Sequence, residues 1–384
     1  GKLGYILPNK FFTTDYGESL RNFIYEGHYI DTVIDFKQQQ IFENATTYTA
    51  ILILSKKSKT SFKYSKPTIT DLKQSNVHFY DYNILELEKN WEFGNLEFKS
   101  ILNKLESNTI DLLDLPCEIS RGSSSGDDKI FMIDFNEITN NSIEKDILRK
   151  PLFSTDFNRF EFKAKSEFSI IFPYTLENET IDVIEEVKFK TNYPNTYKYL
   201  LKNREKLKSR KQYKYWYSYS APRNLMLHEK AKILIPLLAE KGSFSFFEDN
   251  KKYCLMASGG FSLTILNNSF SAEYILGLMN SKLLFWYLRN ISNVFRGGWI
   301  TCTKQYIGRL KIKLITEENV SYAIEMENFV KQIIETKIRL LNTTTDKDKT
   351  YYENKCNSLD RQIDRLVYEL YGLTEEEIKI VEGE

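Results

Sequence analysis

Short apolar runs separated by polar turns fill the first 60 residues, and their spacing predicts strands at 4–7, 32–36 and 47–54 with one helix at about 16–26. The stretch Ala50-Ile51-Leu52-Ile53-Leu54 has no polar break, as a strand covered on both faces requires. Three strands are too few for a doubly wound sheet, so this block reads as the closing strands of a larger α/β domain whose other strands lie upstream. From 110 to 315 the pattern is mixed, with β-rich runs at 130–135, 168–172, 232–236 and 261–266 between loops, the signature of an α+β domain. Helical spacing over 272–291 breaks near Asn280-Ser281 and predicts two packed helices. The segments 320–341 and 351–371 predict an antiparallel hairpin, with Ile333, Ile334, Ile338 and Leu341 facing Leu359, Ile363, Leu366, Val367 and Leu370. Gly372 is placed as a C-cap, and Thr374 with Glu377 forms a capping-box pattern that starts a last short helix. The boundaries expected are 1–109, 110–315 and 316–384.

A chain of 384 residues that is 42% hydrophobic buries a real core and suits two or three domains. It has no run of the roughly 18 to 20 apolar residues that a bilayer span needs, and no basic-then-apolar leader, so a soluble cytoplasmic location is expected. The start on Gly1 and an apolar strand reads as that of a fragment. Cys117, Cys254, Cys302 and Cys356 stand singly, without the paired spacing of a zinc site, and read as reduced thiols. His28, His78 and His228 are isolated in sequence. Asp156, Glu161 and Lys163 follow the acidic-then-ExK order of a metal-dependent nuclease, but their spacing is short and such triplets arise by chance in a Lys-rich chain. No metal site is expected.

The net charge of +1 hides an uneven distribution. Lys+Arg against Asp+Glu is 13 to 13 over 1–109, 31 to 23 over 110–315 and 9 to 16 over 316–384, so the middle carries +8 and the tail −7. A basic middle points to a polyanion. Between Lys188 and Tyr219, ten basic residues alternate with nine aromatic ones, and Glu205 alone opposes them. Lysines that track phosphates and rings that stack on bases make a nucleic-acid groove; the alternative is a solvated basic face whose rings pack inward. Two glycine loops, 121–126 and 296–299, read either as close approaches to a ligand or, with more weight, as plain turns.

Four pieces in order, 4–11, 16–21, Ile34-Asp35-Phe36 and 41–54, resemble the segment that follows the catalytic motif in Taq-type adenine-N6 DNA methyltransferases and related fused restriction-methylation enzymes. Looser matches follow at 150–160, 193–194 with 200–210, 216–217, 230–236, 276–284 and 366–378, and they resemble the target-recognition region and usual end of the same enzymes. The resemblance implies closing strands of a Rossmann-like methyltransferase sheet, an α+β target-recognition domain and a C-terminal helical hairpin. It also implies double-stranded DNA as partner, an upstream catalytic domain of the same protein, and S-adenosylmethionine as cofactor of the full-length enzyme. The Asn/Asp-Pro-Pro-Tyr motif and the cofactor-binding glycine turn of that family are absent, so this chain alone is expected to be inactive.

Phe42 matches the family's aromatic wall against the extruded adenine; its alternative is burial in the core. Charge and loop setting select Arg121, Lys206, Lys208, Arg210, Lys214, Arg223, Arg296 and Lys304 as candidate DNA contacts. Two other readings stay open. One is a non-catalytic specificity subunit that docks a separate methyltransferase, and the other is an RNA-binding or structural defence protein. Whether an endonuclease is fused upstream also stays open.

Overall fold

The computed structural model describes the chain except for residues 38, 43–46, 76, 78, 88–90, 92, 94, 95, 178, 179, 249, 268, 296 and 384. The chain divides into two compact units, Gly1–Asn103 and Lys104–Glu384. The C-terminal helical hairpin falls within the second unit.

The uninterrupted apolar run lies inside the first unit's sheet. Strands β1 (Lys2–Pro8), β2 (Ile30–Asp35), β3 (Thr49–Ser55), β4 (Ser61–Ser65) and β5 (Tyr80–Asn83) pair in the order β1-β3-β2-β4-β5. β3 runs antiparallel to both neighbours, while β2 and β4 are parallel, so β1, β2 and β4 share one direction. Helix α1 (Glu18–Glu26) connects the first two and buries Ile24. Phe12, Trp91 and Phe93 close the core, with Phe12 stacked on Trp91 at 6.2 Å between centroids. β4 and β5 were not expected from the apolar pattern. The β1 edge contrasts with this core: Leu3, Tyr5 and Ile6 are all more than half exposed.

The second unit holds two four-stranded sheets. One runs in the order Ser245–Phe246, Ile233–Ile235, Phe261–Ile265, Cys117–Arg121. The other orders Tyr253–Leu255, Leu148–Leu152, Ser169–Ile171 and Met132–Ile133. Helices Glu186–Asn192, Pro194–Leu201 and Arg204–Lys208 pack on a core rich in aromatic residues. The helical break expected near Asn280-Ser281 separates Ala272–Asn280 from Lys282–Ile291. Ser281 makes that break orderly, because its hydroxyl donates to the Leu278 carbonyl at 2.7 Å and accepts from the Leu284 amide at 3.2 Å. No helix among the described residues is long and apolar enough to cross a membrane.

Helices Val320–Asn342 and Asp346–Tyr371 pack along each other. Met326, Val330, Ile333 and Thr336 are buried on the first helix, whereas Ile338, expected inward, is 53% exposed. Thr336 can be buried because its hydroxyl bonds the Gln332 carbonyl at 2.6 Å. Gly372 ends the second helix with φ +70°, and the Thr374–Glu377 capping box opens Glu375–Glu382.

Arg159 fastens this hairpin to the β-rich body. Its guanidinium forks onto Asp360 at 2.6 to 2.9 Å and also bonds the Asn280 carbonyl. Asp364 lies beside it and accepts from the Lys282 amide at 2.8 Å. Burial pushes the Asp364 carboxyl up to about 6 from 3.8, against the opposing pull of Arg159. The folded state therefore binds this proton more tightly than the unfolded chain. Its contribution to stability is full below pH 3.8 and lost as pH rises through about 6. Asp364→Asn should remove that slope, gaining up to about 3 kcal/mol on wild type between pH 4 and 7. Urea denaturation of both proteins at each pH checks this; a constant difference across the range would remove Asp364 as the source.

Candidate nucleic-acid interface

The aromatic and basic residues of the Lys188 to Tyr219 stretch part company in the folded chain. Phe189, Tyr199, Trp216, Tyr217 and Tyr219 are buried in the second unit's core. Their hydroxyls serve the backbone: Tyr217 donates to the Ile184 carbonyl at 2.8 Å, Tyr219 to Ile171 at 2.8 Å and Tyr199 to Ile130 at 3.2 Å. Burial pushes the Tyr217 and Tyr219 hydroxyls up, so they stay neutral donors. The expectation that these rings stack on bases is corrected here, because they are the anchor of the segment. Helical phasing puts Leu200 and Leu207 on the inner side and leaves Lys198, Lys202, Lys206 and Lys208 outside; Lys211 and Lys214, past the last of these helices, are exposed as well.

The candidate contacts then divide by what holds them. Arg210 points inward. Its Nε donates to the Leu207 carbonyl at 2.8 Å, Nη1 to Ser125 at 2.6 Å and Nη2 to Trp216 at 2.6 Å. It also lies over the Phe131 ring at 5.4 Å. That geometry makes Arg210 a clamp inside the protein, in place of the phosphate contact expected of it. The lysines remain outside with surface partners: Lys206 with Asp127 at 2.8 Å, Lys208 with Glu205 at 4.0 Å, Lys214 with Asp182 at 2.7 Å and Lys304 with Glu118 at 3.3 Å. Arg121 and Arg223 are exposed, and Arg296 lies outside the described residues.

The loop at 121–126 is tight for internal reasons. A side chain at Gly122 would collide with the Met256 carbonyl, and one at Gly126, where φ is +83°, with Ser220. Ser123 and Ser125 are fully buried, and Ser125 bonds Asp128. His228 is equally structural. Its Nδ1 meets the Ser262 hydroxyl at 2.7 Å and its Nε2 the Arg121 carbonyl at 3.1 Å. Burial brings it down to about 4, so the ring is neutral at physiological pH. Asp156 is 2% exposed and accepts from the Phe153 and Lys165 amides at 2.7 and 2.9 Å, which makes it a turn former. Among the described residues no three His, Cys, Asp or Glu side chains gather as metal ligands.

The glycine turn at 297–298 bares two rings. Gly297 and Gly298 have φ of +85° and +82°, the Phe295 amide bonds the Trp299 carbonyl at 2.7 Å, and Phe295 and Trp299 stay 49% and 43% exposed. Phe295 was missed from sequence, although its place beside a double glycine marked it as a turn flank.

In the first unit, Phe42 is 48% exposed, which removes its core alternative. It sits on the loop that leaves the carboxyl end of β2. Asn9 pins the loop's root, donating through Nδ2 to Asp35 Oδ1 at 3.2 Å and to the Lys37 carbonyl at 3.0 Å. Gln39 ties it onward to the Pro67 carbonyl at 2.9 Å.

The chain is similar to known proteins. A model of the TaqI-like C-terminal specificity domain matches residues 184–312, and one of the Eco57I restriction-modification methylase matches residues 1–42. The type II restriction enzyme and methyltransferase RM.Eco57I of Escherichia coli is 24% identical over a 419-residue alignment that covers 97% of this chain and 41% of the enzyme. This chain matches the C-terminal part of restriction-modification enzymes. The type II methyltransferase M.MjaIV of Methanocaldococcus jannaschii is 27% identical over 260 residues, covering 65% of this chain and 77% of that protein. Among solved structures, the type IIL restriction-modification enzyme MmeI in complex with DNA shares the fold, with a TM-score of 0.58 at 12% identity over 98% of this chain and 48% of that one. The type IIG endonuclease BpuSI is similar at a TM-score of 0.40 and 14% identity over 97% and 47%. The chain thus spans 41% of the RM.Eco57I length. The specificity-domain match contains Lys206, Lys208, Arg210, Lys214, Arg223 and Lys304, and Phe42 is the last residue of the methylase match.

The different settings of Arg210 and its lysine neighbours have a measurable consequence. Arg210→Ala leaves three carbonyls without their donor and should lower unfolding free energy by about 3 kcal/mol. Lys206→Gln with Lys208→Gln should change it by less than about 1 kcal/mol. Denaturation midpoints compare the two; equal effects would show that Arg210 is not a clamp.

Proposed function

We propose that this chain reads the sequence of double-stranded DNA for an S-adenosylmethionine-dependent adenine-N6 methyltransferase of a restriction-modification system. The observation that carries the reading is the specificity-domain match over 184–312, which falls on the segment with an exposed lysine face. That the MmeI structure holds DNA lends further support. In this reading 1–109 is the end of the methyltransferase domain, 110–315 reads the target, and 316–384 is the supporting hairpin. The methylase match at 1–42 favours this over a separate specificity subunit.

Among the described residues, the cleft of the first unit does not fit the methyl donor. A cleft of about 970 Å³ lies along β1 and α1, lined by Leu3, Leu7, Phe11, Leu20, Phe23 and Leu52 among others, with no carboxylate in its walls. Such a wall suits a packed apolar element and offers no carboxylate to a ribose or an ammonium group. No methyl-transfer step is therefore assigned to this chain. An exposed apolar edge strand is a liability that proteins cover, so the bared β1 edge supports the idea that further strands of a Rossmann-like sheet pair there. Phe42 leaves the carboxyl end of β2, the side on which doubly wound sheets hold their ligands. Its exposed ring is suited to stack on an adenine extruded from the duplex, an interaction worth about 1 to 3 kcal/mol.

Two measurements test this reading. Lys206→Gln with Lys208→Gln should weaken binding to all duplexes alike and reduce the slope of log K against log salt by roughly two. An unchanged slope would remove the lysine face from the DNA. In an enzyme joining this chain to its catalytic part, Phe42→Ala should lose the fluorescence rise of 2-aminopurine at the target position while DNA binding persists. An undiminished rise would end the stacking role.

A further inference from the structure

Two guanidinium groups stand at one seam of the second unit. Arg121 is the last residue of the Cys117–Arg121 strand, paired with Phe261. Just beyond it, the Ser124 amide bonds the Ala221 carbonyl at 2.9 Å, the Ala221 amide bonds Ser124 at 3.0 Å, and the Ser123 hydroxyl donates to the Pro222 carbonyl at 2.6 Å. This pairing carries Arg223 back beside Arg121. Both backbones are fixed: the neutral His228 ring holds the Arg121 carbonyl, and Arg223 sits at φ +58° with its own carbonyl taken by the Leu225 amide at 3.0 Å. Both side chains are exposed.

Their surroundings separate them from the other described candidates, each of which has a partner in the chain. Among the described residues, neither the Arg121 nor the Arg223 guanidinium has an ion pair, hydrogen bond or ring contact. Arg223 is held below the ordinary arginine range by burial and then by the Arg121 charge. Two like charges held close on rigid backbone, with no counter-ion, favour an acceptor-rich ligand that bridges them. A guanine edge offers O6 and N7 as paired acceptors in the major groove, the geometry that a guanidinium fork matches. Phosphates ask for less: a single mobile charge such as the exposed lysines is enough.

Resting on the duplex-reading proposal above, we infer that Arg121 and Arg223 form a two-guanidinium reader of guanine and supply base specificity to this interface. The test uses the whole chain and a randomised duplex library, with selected sequences read by sequencing and affinities measured on the selected duplex and a scrambled one. Variants are Arg121→Gln, Arg223→Asn, which tolerates the left-handed backbone, and the two Arg→Lys changes. Wild type should select guanine at one or more positions. Each variant should lose guanine there, keep the other positions, and bind the selected duplex about 10- to 100-fold more weakly. Affinity for the scrambled duplex and its salt slope should stay as in wild type. The lysine variants should fail similarly, because an ammonium lacks the fork.

An equal loss on both duplexes with a salt slope lower by about one marks phosphate contact and overturns the inference. Unchanged selection overturns it as well. A wild-type chain that binds duplex without selecting any sequence overturns base reading alone. A chain that binds no duplex overturns the proposed function itself.

Discussion

The fold of the second unit depends on holding down a segment that carries ten positive charges between Lys188 and Tyr219. Such a segment repels itself and, without an apolar anchor, stays solvated. Aromatic side chains supply the anchor because each buries a large area and brings its own polar tip. Phe189, Tyr199, Tyr217 and Tyr219 reach the core, and the three tyrosine hydroxyls end on backbone carbonyls. The charge is thereby fixed on the outside by the same residues that make the inside.

Arg210 carries that constraint one step further. It links the end of the Arg204–Lys208 helix to the Ser125 loop and to Trp216, so one guanidinium joins two neighbouring turns of its own segment to a loop 85 residues away in sequence. The packed loop places Ser124 against Ala221, and this pairing in turn brings Arg121 and Arg223 together. The hairpin depends on an analogous device. Arg159 joins Asp360 to the Asn280 carbonyl, and the adjoining Asp364 stays buried at the cost of a raised proton affinity. In both places an arginine does structural work that a lysine, with a single point charge, could not.

This explains which features were legible in the sequence and which were not. The 47–54 strand, the break at Asn280-Ser281 and the caps at Gly372 and Thr374 depend on local pattern, and local pattern is what a sequence displays. Ile338 turns outward and Thr336 inward because the helix seam is decided by the partner helix and by a hydroxyl that satisfies itself on the preceding turn. The basic-aromatic stretch was visible, yet composition cannot tell which way a ring points. Arg210 and Lys208 look alike as charges two residues apart. The chain leaving the helix and one nearby loop turn the first inward, while the second stays on the helix's outer face in water. The adjacency of Arg121 and Arg223 was beyond reach, because it comes from a pairing between segments about 100 residues apart.

On the proposed duplex-reading role, the two kinds of exposed cation divide the energetics of recognition. A lysine paired with a surface carboxylate gains roughly 0 to 1 kcal/mol from that partner, so exchanging it for a phosphate costs little and can occur at any position along a duplex. The lysine face is therefore suited to scanning, with affinity set by salt. The arginine seam behaves in the opposite way. Its backbone is fixed and its charges repel, so it favours contact only where paired acceptors lie at the matching spacing, and contact elsewhere leaves the repulsion in place. On that proposed role, compensated lysines would hold DNA without regard to sequence while uncompensated arginines respond to sequence at one seam.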